Sequence, residues 1–324
     1  MATDKPLISI LMAVYEPRMD WLKEQLDSLN AQTYPNLRLY VRDDCSPTVP
    51  FKKIETMVRE CVTAFPYSLK RNERNLGSNE TFELLTREAE GMYFAYCDQD
   101  DVWLPEKLAV LQETIEREQA QLVCSDMYII DGSGKQVADS ITKVRKHHVF
   151  RSGEGLAPKL LISNFVTGCT MLLRAETAKK AVPFCPDMVH DHYLALLAAR
   201  EGCIISLAER LVNYRIHSNN QTLMMAGVTD KESYCHVRIE VLLRRLKWLE
   251  VQFENEPELH TEIQAALKWT EARYANFHGD FRAKAEVLRL RRFSPLTSLF
   301  EVIASRTPER VFLFFIALKK KNLI

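Results

Sequence analysis

Several features are missing from this chain of 324 residues. There is no charge excess: Lys+Arg and Asp+Glu each total 43, so the formal net charge is zero. A general nucleic-acid binder usually carries a basic surplus, and no nucleic acid is expected as a partner. The eight cysteines include no C-x-x-C pair and mostly sit in apolar runs, which argues against a zinc site or a disulfide framework. The longest apolar run, Val311 to Leu318, is far below the ~20 residues a membrane span needs. The opening MATDKPLISIL lacks a basic segment, apolar stretch and cleavage site in succession, so no secretory leader is expected. The chain reads as cytoplasmic, without internal repeats or low-complexity segments.

What is present is an ordinary globular composition, 47% hydrophobic and 27% charged, with a regular alternation in the first half. Strand-like runs at 7–14, 37–41, 67–70, 92–97 and 122–130 are separated by helical spacings at 21–32, 51–65, 81–90 and 105–118. Such a pattern predicts an α/β fold, with a mainly parallel sheet and helices on both faces. The second half is less regular: strands are expected at 167–173, 203–207 and 211–216, and a helix at 192–200. From about Asp230 the pattern is helical. A boundary near residue 225 gives a catalytic domain over 1–225 and a helical region over 226–324.

Ligands of such sheets bind at the carboxyl ends of the strands, where this sequence keeps its unusual polar groups. Tyr15-Glu16 follow the first strand, Asp43-Asp44 the second, Arg71 to Gly77 the third, and Asp98 to Asp101 the fourth. The run YCDQDDVW closes the fourth strand with three carboxylates, a pattern suited to a hard divalent cation such as Mn²⁺ or Mg²⁺. A polar turn in which Asp101 caps the next helix is the plainer alternative. Asp43 or Asp44 can accept hydrogen bonds from a base or ribose, or form an Asx turn. Gly77 permits close backbone approach, and Arg71 or Arg74 can meet phosphate. Asp191, in HDH, is either a helix N-cap or a general base; His217 follows a strand and is a candidate metal ligand or a solvated loop residue.

Taken in order, ISILMAVYE, VRDDCSP, NLGSNETFELL, YCDQDDVWLPEKL, NFVTGCTMLLR, HDHYLALLA and YRIHSNN resemble the inverting family 2 glycosyltransferases of GT-A fold, over roughly residues 5 to 222. The D-Q-D-D-x-W-x-x-x-K and Y-R-x-H-x-x-N elements are similar to the bacterial rhamnosyltransferase-like branch. The resemblance implies that Asp98 and Asp100, with His217, hold the cation, and that Asp98 also faces the donor diphosphate. It places Ala13, Tyr15, Glu16 and Asp43 around the base and ribose, with Asp44 a second candidate, and Gly168 near the donor sugar and acceptor; Arg74 and Gly77 are the further candidates for the donor. Asp191 takes the place of the catalytic base. His190 stands where the family often has a second acid. A UDP- or dTDP-sugar donor is implied, with dTDP-rhamnose the branch-level candidate, and a saccharide acceptor in cell-surface polysaccharide synthesis.

The C-terminal region adds an expectation about that acceptor. Arg238, Arg244, Arg245 and Lys247 lie among apolar residues, and RVFLFFIALKKK suits either a membrane interface or a core helix with a solvated end. The former favours a polyprenyl-diphosphate-linked acceptor, with the protein peripheral on the cytoplasmic face of the inner membrane. Residues 143–148 form a second basic segment, either for an acceptor phosphate or as a surface loop. Two rivals stand beside this reading. A haloacid dehalogenase-type phosphatase also uses D-x-D-x-V, but its motif usually closes the first core strand; a catalytically silent nucleotide-sugar binder is the other.

Overall fold

The computed structural model describes residues 5–217 and 227–320. Contacts divide these into two compact units. The first runs to Leu156 and adds Asn164–Phe184 and the stretch from Val189; the second comprises Ala157–Ser163, Cys185–Met188 and the C-terminal helices. The boundary expected near residue 225 lies outside the described residues.

The first unit opens with strand β1 (Ile8–Val14), helix α1 (Met19–Asn30), β2 (Leu37–Asp43), α2 (Phe51–Cys61), β3 (Tyr67–Arg71), α3 (Ser78–Glu88) and β4 (Tyr93–Cys97). Next come β5 (Val102–Trp103), α4 (Lys107–Arg117), β6 (Leu122–Ile130), β7 (Gln136–Ala138) and the short α5 (Ile141–Val144). Helix α6 (Ala157–Leu160) belongs to the second unit; β8 (Met171–Arg174), α7 (Ala175–Lys180), α8 (His190–Glu201) and β9 (Ile204–Arg215) complete the first.

The strand order is β3-β2-β1-β4-β8-β6-β9-β5, with β7 beside β6. The pairs β3–β2, β2–β1 and β1–β4 are parallel, as the alternating pattern predicts. Beyond β4 the sheet becomes mixed: β8 inserts antiparallel between β4 and β6, while β6 and β9 are parallel. The cause is local. Residues 168–170 form a single 3₁₀ turn, so the strand expected over 167–173 is shortened to β8, which pairs antiparallel with β4. The two strands expected at 203–207 and 211–216 are one strand, β9, with register irregularities where they would have met.

Alternation along the strands sets the layers. Ile8, Ile10, Met12 and Val14 of β1, with Tyr93, Ala95 and Cys97 of β4, pack against Leu22, Leu26, Ile54, Leu108 and Leu111 of α1, α2 and α4. Tyr96 faces the other way, meeting Phe82 of α3 with ring centroids 5.5 Å apart. Helices thus cover both faces, and two-residue alternation decides which side chains they bury. Because β1 is flanked by β2 on one side and β4 on the other, the chain reverses direction of winding there. That is the switch point at which open α/β sheets bind ligands.

In the second unit α6 is followed by α9 (Lys231–Cys235), α10 (Val241–Gln252), α11 (Pro257–Phe277), α12 (Ala283–Arg289), α13 (Pro295–Ala304) and α14 (Glu309–Lys320). Residues 157–163 and 185–188, assigned from the sequence to the catalytic domain, join this unit instead. One reason is visible at Asp187: Arg244 pairs with its carboxylate at 2.9 Å and Arg245 donates to its carbonyl at 3.1 Å. These two arginines are therefore committed to holding a loop. A second core forms around Tyr234, Ile239, Phe312 and Ile316, and Glu301 is fully buried between Arg273 and the Tyr234 hydroxyl.

Candidate active site

The ends of β1 and β4 are tied by one side chain. Gln99 accepts from the Tyr15 amide at 2.8 Å and donates to the Tyr15 carbonyl at 3.0 Å. The main chain after β1 is thereby fixed beside the carboxylate run after β4, and the Tyr15 ring stays 43% exposed over the rim. Ala13, near the end of β1, is half-buried and in register with Arg42 of β2. Glu16 adopts a positive φ of 45°. Its carboxylate accepts from the Thr48 hydroxyl and, at 2.7 Å, the Thr48 amide, bonds that hold it below the usual carboxylate range.

Asp43 and Asp44, adjacent in sequence, do different jobs. Asp43 is fully buried; Oδ1 accepts from the Ser46 hydroxyl at 2.6 Å, while Oδ2 faces Arg71 Nε at 3.3 Å without a hydrogen bond. An acceptor is thus left for a further donor. Asp44 is more heavily engaged. It accepts from Asn72 at 2.7 Å and from the amides of Leu76 and Gly77, each at 2.8 Å. Its carboxylate pins the loop that leads into α3, where Gly77 sits at φ 82°. Three donors fill most of its roughly four acceptor sites, so this carboxylate orders the loop. Arg74 is exposed on the same loop.

Among the three aspartates after β4, Asp101 is not the helix cap. Residues Val102–Trp103 form a strand, and α4 begins at Lys107 with Glu106 at its N-cap position. Asp101 is instead fully buried, accepts from the Arg215 amide at 2.9 Å and keeps Oδ2 without a partner. Burial, then the neighbouring Asp100, pushes its carboxyl up to about 7. Asp98 is also raised well above the usual range, by burial first and then by Asp101, Asp100 and Asp191. Oxygen and sulfur atoms of Asp98, Asp101 and Cys169 lie within 4.8 Å of one another. Burial also raises the Cys169 thiol, and a protonated sulfur is a poor ligand for a hard cation.

Asp100 takes a different partner. Its Oδ2 lies 2.7 Å from His217 Nε2, and the His217 ring packs on Trp21 with centroids 4.9 Å apart. Arg215 braces the pair from below by donating to the Asp100 carbonyl at 2.8 Å. A sequence gap of more than a hundred residues is closed because β9 runs antiparallel to β5, bringing Asn213 opposite Val102. Asp98, Asp100 and His217 offer oxygen and imidazole donors that suit Mn²⁺ or Mg²⁺, and the like-charge crowding of the aspartates is the condition a cation relieves. By chemistry this set fits the ion, while in this structure Asp98 groups with Asp101 and Cys169, and Asp100 pairs with His217.

Asp191 lies in the first turn of α8, whose N-cap is Val189, so the capping alternative does not apply. Its two oxygens are oriented separately: Oδ1 accepts from Asn164 Nδ2 at 3.1 Å and Oδ2 from the Gly168 amide at 3.0 Å. Burial raises its carboxyl to about 6 against these bonds and the charge of Arg145. Arg145 comes from the basic segment 143–148, so that segment acts on Asp191 electrostatically. His190 turns the other way, stacking on Phe82 at 4.1 Å. Burial lowers its pKa to about 3, so it is neutral. A Cβ on Gly168 would lie 2.9 Å from His190 Nε2, so the glycine is required by the imidazole beneath it.

Gln99, Asn164 and Arg215 are not legible as site residues in the sequence, since each works through hydrogen bonds that only the folded chain makes. Lys107 was noted only as part of a motif. It is fully buried over the Trp103 ring, its Nζ has no hydrogen-bond partner, and burial lowers it to about 7. Its remaining charge faces Cys169, Cys97, Asp101 and Asp98.

Comparison with known proteins bears on the family and the fold. Residues 9–178 match the family described as glycosyl transferase family 2. An uncharacterised glycosyltransferase of Nostoc sp. is 27% identical over 233 residues, 69% of each chain. One from Methanocaldococcus jannaschii is 32% identical over 139 residues, 40% of this chain and 45% of the relative. Among solved structures, Staphylococcus aureus TarS residues 1–349 in complex with UDP-GlcNAc superposes with a TM-score of 0.57 at 16% identity, covering 92% of this chain and 90% of that one.

Proposed function

The chain belongs to glycosyl transferase family 2, and on that premise we propose that it moves a sugar from a nucleoside-diphosphate donor to a saccharide hydroxyl with inversion of configuration. The observation that carries this reading is the meeting of Asp191 with the carboxylates after β4 at the sheet's switch point, close enough for the Asp191 charge to raise Asp98. On this reading the general base and the cation-binding carboxylates act side by side, as single displacement requires.

In that reaction the acceptor oxygen attacks the anomeric carbon, and the bond from that carbon to the diphosphate oxygen breaks with its electron pair on the leaving group. The acceptor proton passes to Asp191. Gly168 and Asn164 hold the Asp191 oxygens so that the carboxylate meets the acceptor in a fixed orientation. Asp98, Asp100 and His217 would hold Mn²⁺ or Mg²⁺, which supplies electrostatic stabilisation of the charge gathering on the diphosphate. Asp43, with its spare acceptor, and the Ala13–Glu16 turn are assigned to the base and ribose; Arg74 and the Gly77 loop are assigned to the donor.

A pyrimidine donor is favoured by the acceptor geometry at Asp43 and by the UDP-GlcNAc complex of the structurally similar TarS. The motif spacing adds dTDP-rhamnose to the candidates. We assign the acceptor to the lipid-linked saccharides, with Arg145 beside Asp191 suited to their phosphate. Localisation at the cytoplasmic face of the membrane follows from that assignment. A thermal-shift screen of nucleotide sugars with and without Mn²⁺ tests the reading, because a bound donor stabilises the folded state by mass action. A cation-dependent rise with one UDP- or dTDP-sugar is expected. No rise with any nucleotide sugar, together with cation-dependent hydrolysis of simple phosphate esters, would favour a phosphatase instead.

A further inference from the structure

We propose that the outer face of α13 and α14 is a docking surface for an anionic lipid bilayer. The proposal deepens, and rests for its purpose on, the reading of a lipid-linked acceptor. On α13, Leu296, Leu299 and Ile303 are 75%, 54% and 57% exposed. Their spacing of three and four residues places them on one side of the helix. On α14, Val311, Phe314 and Phe315 are 41%, 61% and 37% exposed, again at helical spacing. Phe315 meets Phe300 of α13 with ring centroids 6.5 Å apart, so the two apolar groups adjoin at the seam between the helices.

Neither helix can roll this face inward. The opposite side of α13 is fixed by buried groups: Ser298 accepts from the Trp269 indole at 3.0 Å, and Glu301 is locked to Arg273. The opposite side of α14 supplies Phe312 and Ile316 to the second core. Isolated exposed apolar residues are unremarkable, but six grouped on two adjoining helices mark an interaction surface.

Charge selects the occupant. The whole chain is neutral, yet nine basic residues stand against three acidic ones between Arg282 and Lys320. Arg291, just before α13, and Arg306 and Arg310, at the α13–α14 turn and the start of α14, are exposed, whereas the exposed Arg289 and Arg292 pair with Glu286 and Glu262. Apolar residues that enter the acyl boundary, ringed by cations that meet head groups, are the composition of an interfacial helix. A second copy of this chain is a poorer match. A twofold dimer would set the same patch against itself, bringing two basic rims together. No helix among the described residues is long and apolar enough to cross a membrane, so the contact lies in the plane of the interface.

Sedimentation of the full-length chain with vesicles, in the absence of donor and acceptor, tests the proposal independently of catalysis. Binding is expected to phosphatidylglycerol–phosphatidylcholine vesicles and not to phosphatidylcholine alone, and it should weaken at about 0.5 M salt, where the Debye length is short. Leu299→Glu combined with Phe314→Glu should reduce partitioning at least about tenfold while leaving the donor-induced rise in Tm unchanged. Equal binding to both vesicle types, no binding to either, or binding that survives the double substitution would overturn it. So would a dimer of the parent chain that the double substitution dissociates. A chain that binds vesicles but shows no donor-induced Tm rise would fault the catalytic reading and leave this surface standing.

Discussion

The amide of Gly168 donates to Asp191 Oδ2 at 3.0 Å, so the carboxylate assigned as general base is aimed by the backbone of a loop. Asn164 holds the other oxygen at 3.1 Å. The base is therefore oriented by two contacts that come from outside its own helix. Asp191→Asn keeps the side-chain shape and removes the ability to take a proton. Turnover should fall by ~10²–10⁴ while Tm changes by only a few degrees, as measured by sugar transfer and by thermal unfolding. Near-parental transfer by a folded variant would remove Asp191 from this role.

The pH profile should carry the same group. Asp191 titrates near 6 because burial raises it; it accepts a proton only when ionised. kcat/KM, which reports the free enzyme, should therefore rise with pH through about 6 and level off above. The sign for stability is opposite. A carboxyl raised above its unfolded value of 3.8 holds its proton longer in the folded state, so its contribution makes the fold less stable as pH climbs from about 4 to 6. An acid limb near 4, unshifted from an ordinary aspartate, would show that burial does not govern this residue.

Gly168 itself can be probed by its neighbour. Gly168→Ala places a methyl 2.9 Å from His190 Nε2, below any normal contact. Either the loop or the imidazole must move, and the amide that aims Asp191 moves with the loop. A loss of about tenfold or more in kcat, out of proportion to any change in donor affinity, is expected. His190→Ala in the same chain makes room, so the double variant should lose less than the two single effects combined. Additive losses would show that the two residues are uncoupled.

The Asp100–His217 pair, 2.7 Å apart, predicts a cation effect. Asp100→Ala and His217→Ala should each abolish the Mn²⁺-dependent part of donor binding, read by titrating a nucleotide sugar with and without the ion. Donor affinity that remains equally cation-dependent in both variants would move the site elsewhere in the crevice.

Asp44 and Asp43 should separate cleanly. Asp44→Asn turns one acceptor towards a donor amide and leaves a buried N–H unsatisfied, costing about 1–3 kcal/mol of stability. Asp43→Asn should mainly raise KM for the donor, since one of its oxygens lacks a hydrogen-bond partner. Denaturant unfolding and donor titration distinguish the two. A donor-affinity loss confined to Asp44→Asn would reverse the assignments.

Much of the first unit was legible in the sequence. Two-residue and helical periodicities located β1 to β4 with their helices, because those elements bury one face each and pair with near neighbours. The strand ends were legible for the same reason: polar groups after an apolar run have nowhere to go but the rim. Where pairing depends on distant segments, the pattern misled. The strand expected at 167–173 is a 3₁₀ turn followed by the short antiparallel β8, and Asp101 accepts from the Arg215 amide where a helix cap is expected.

By itself, then, the sequence determined which residues could carry charge and nucleophilic or basic chemistry, and on which strand ends they stand, since local periodicity fixes both. Tertiary structure alone decided how each was used. Asp43 and Asp44 differ by one position but by an entire set of hydrogen-bond donors. Asp98, Asp100 and Asp101 divide between a buried cluster and His217 according to which segment β9 brings alongside. Those choices are made by contacts across tens to more than a hundred residues, and local pattern carries no information about them.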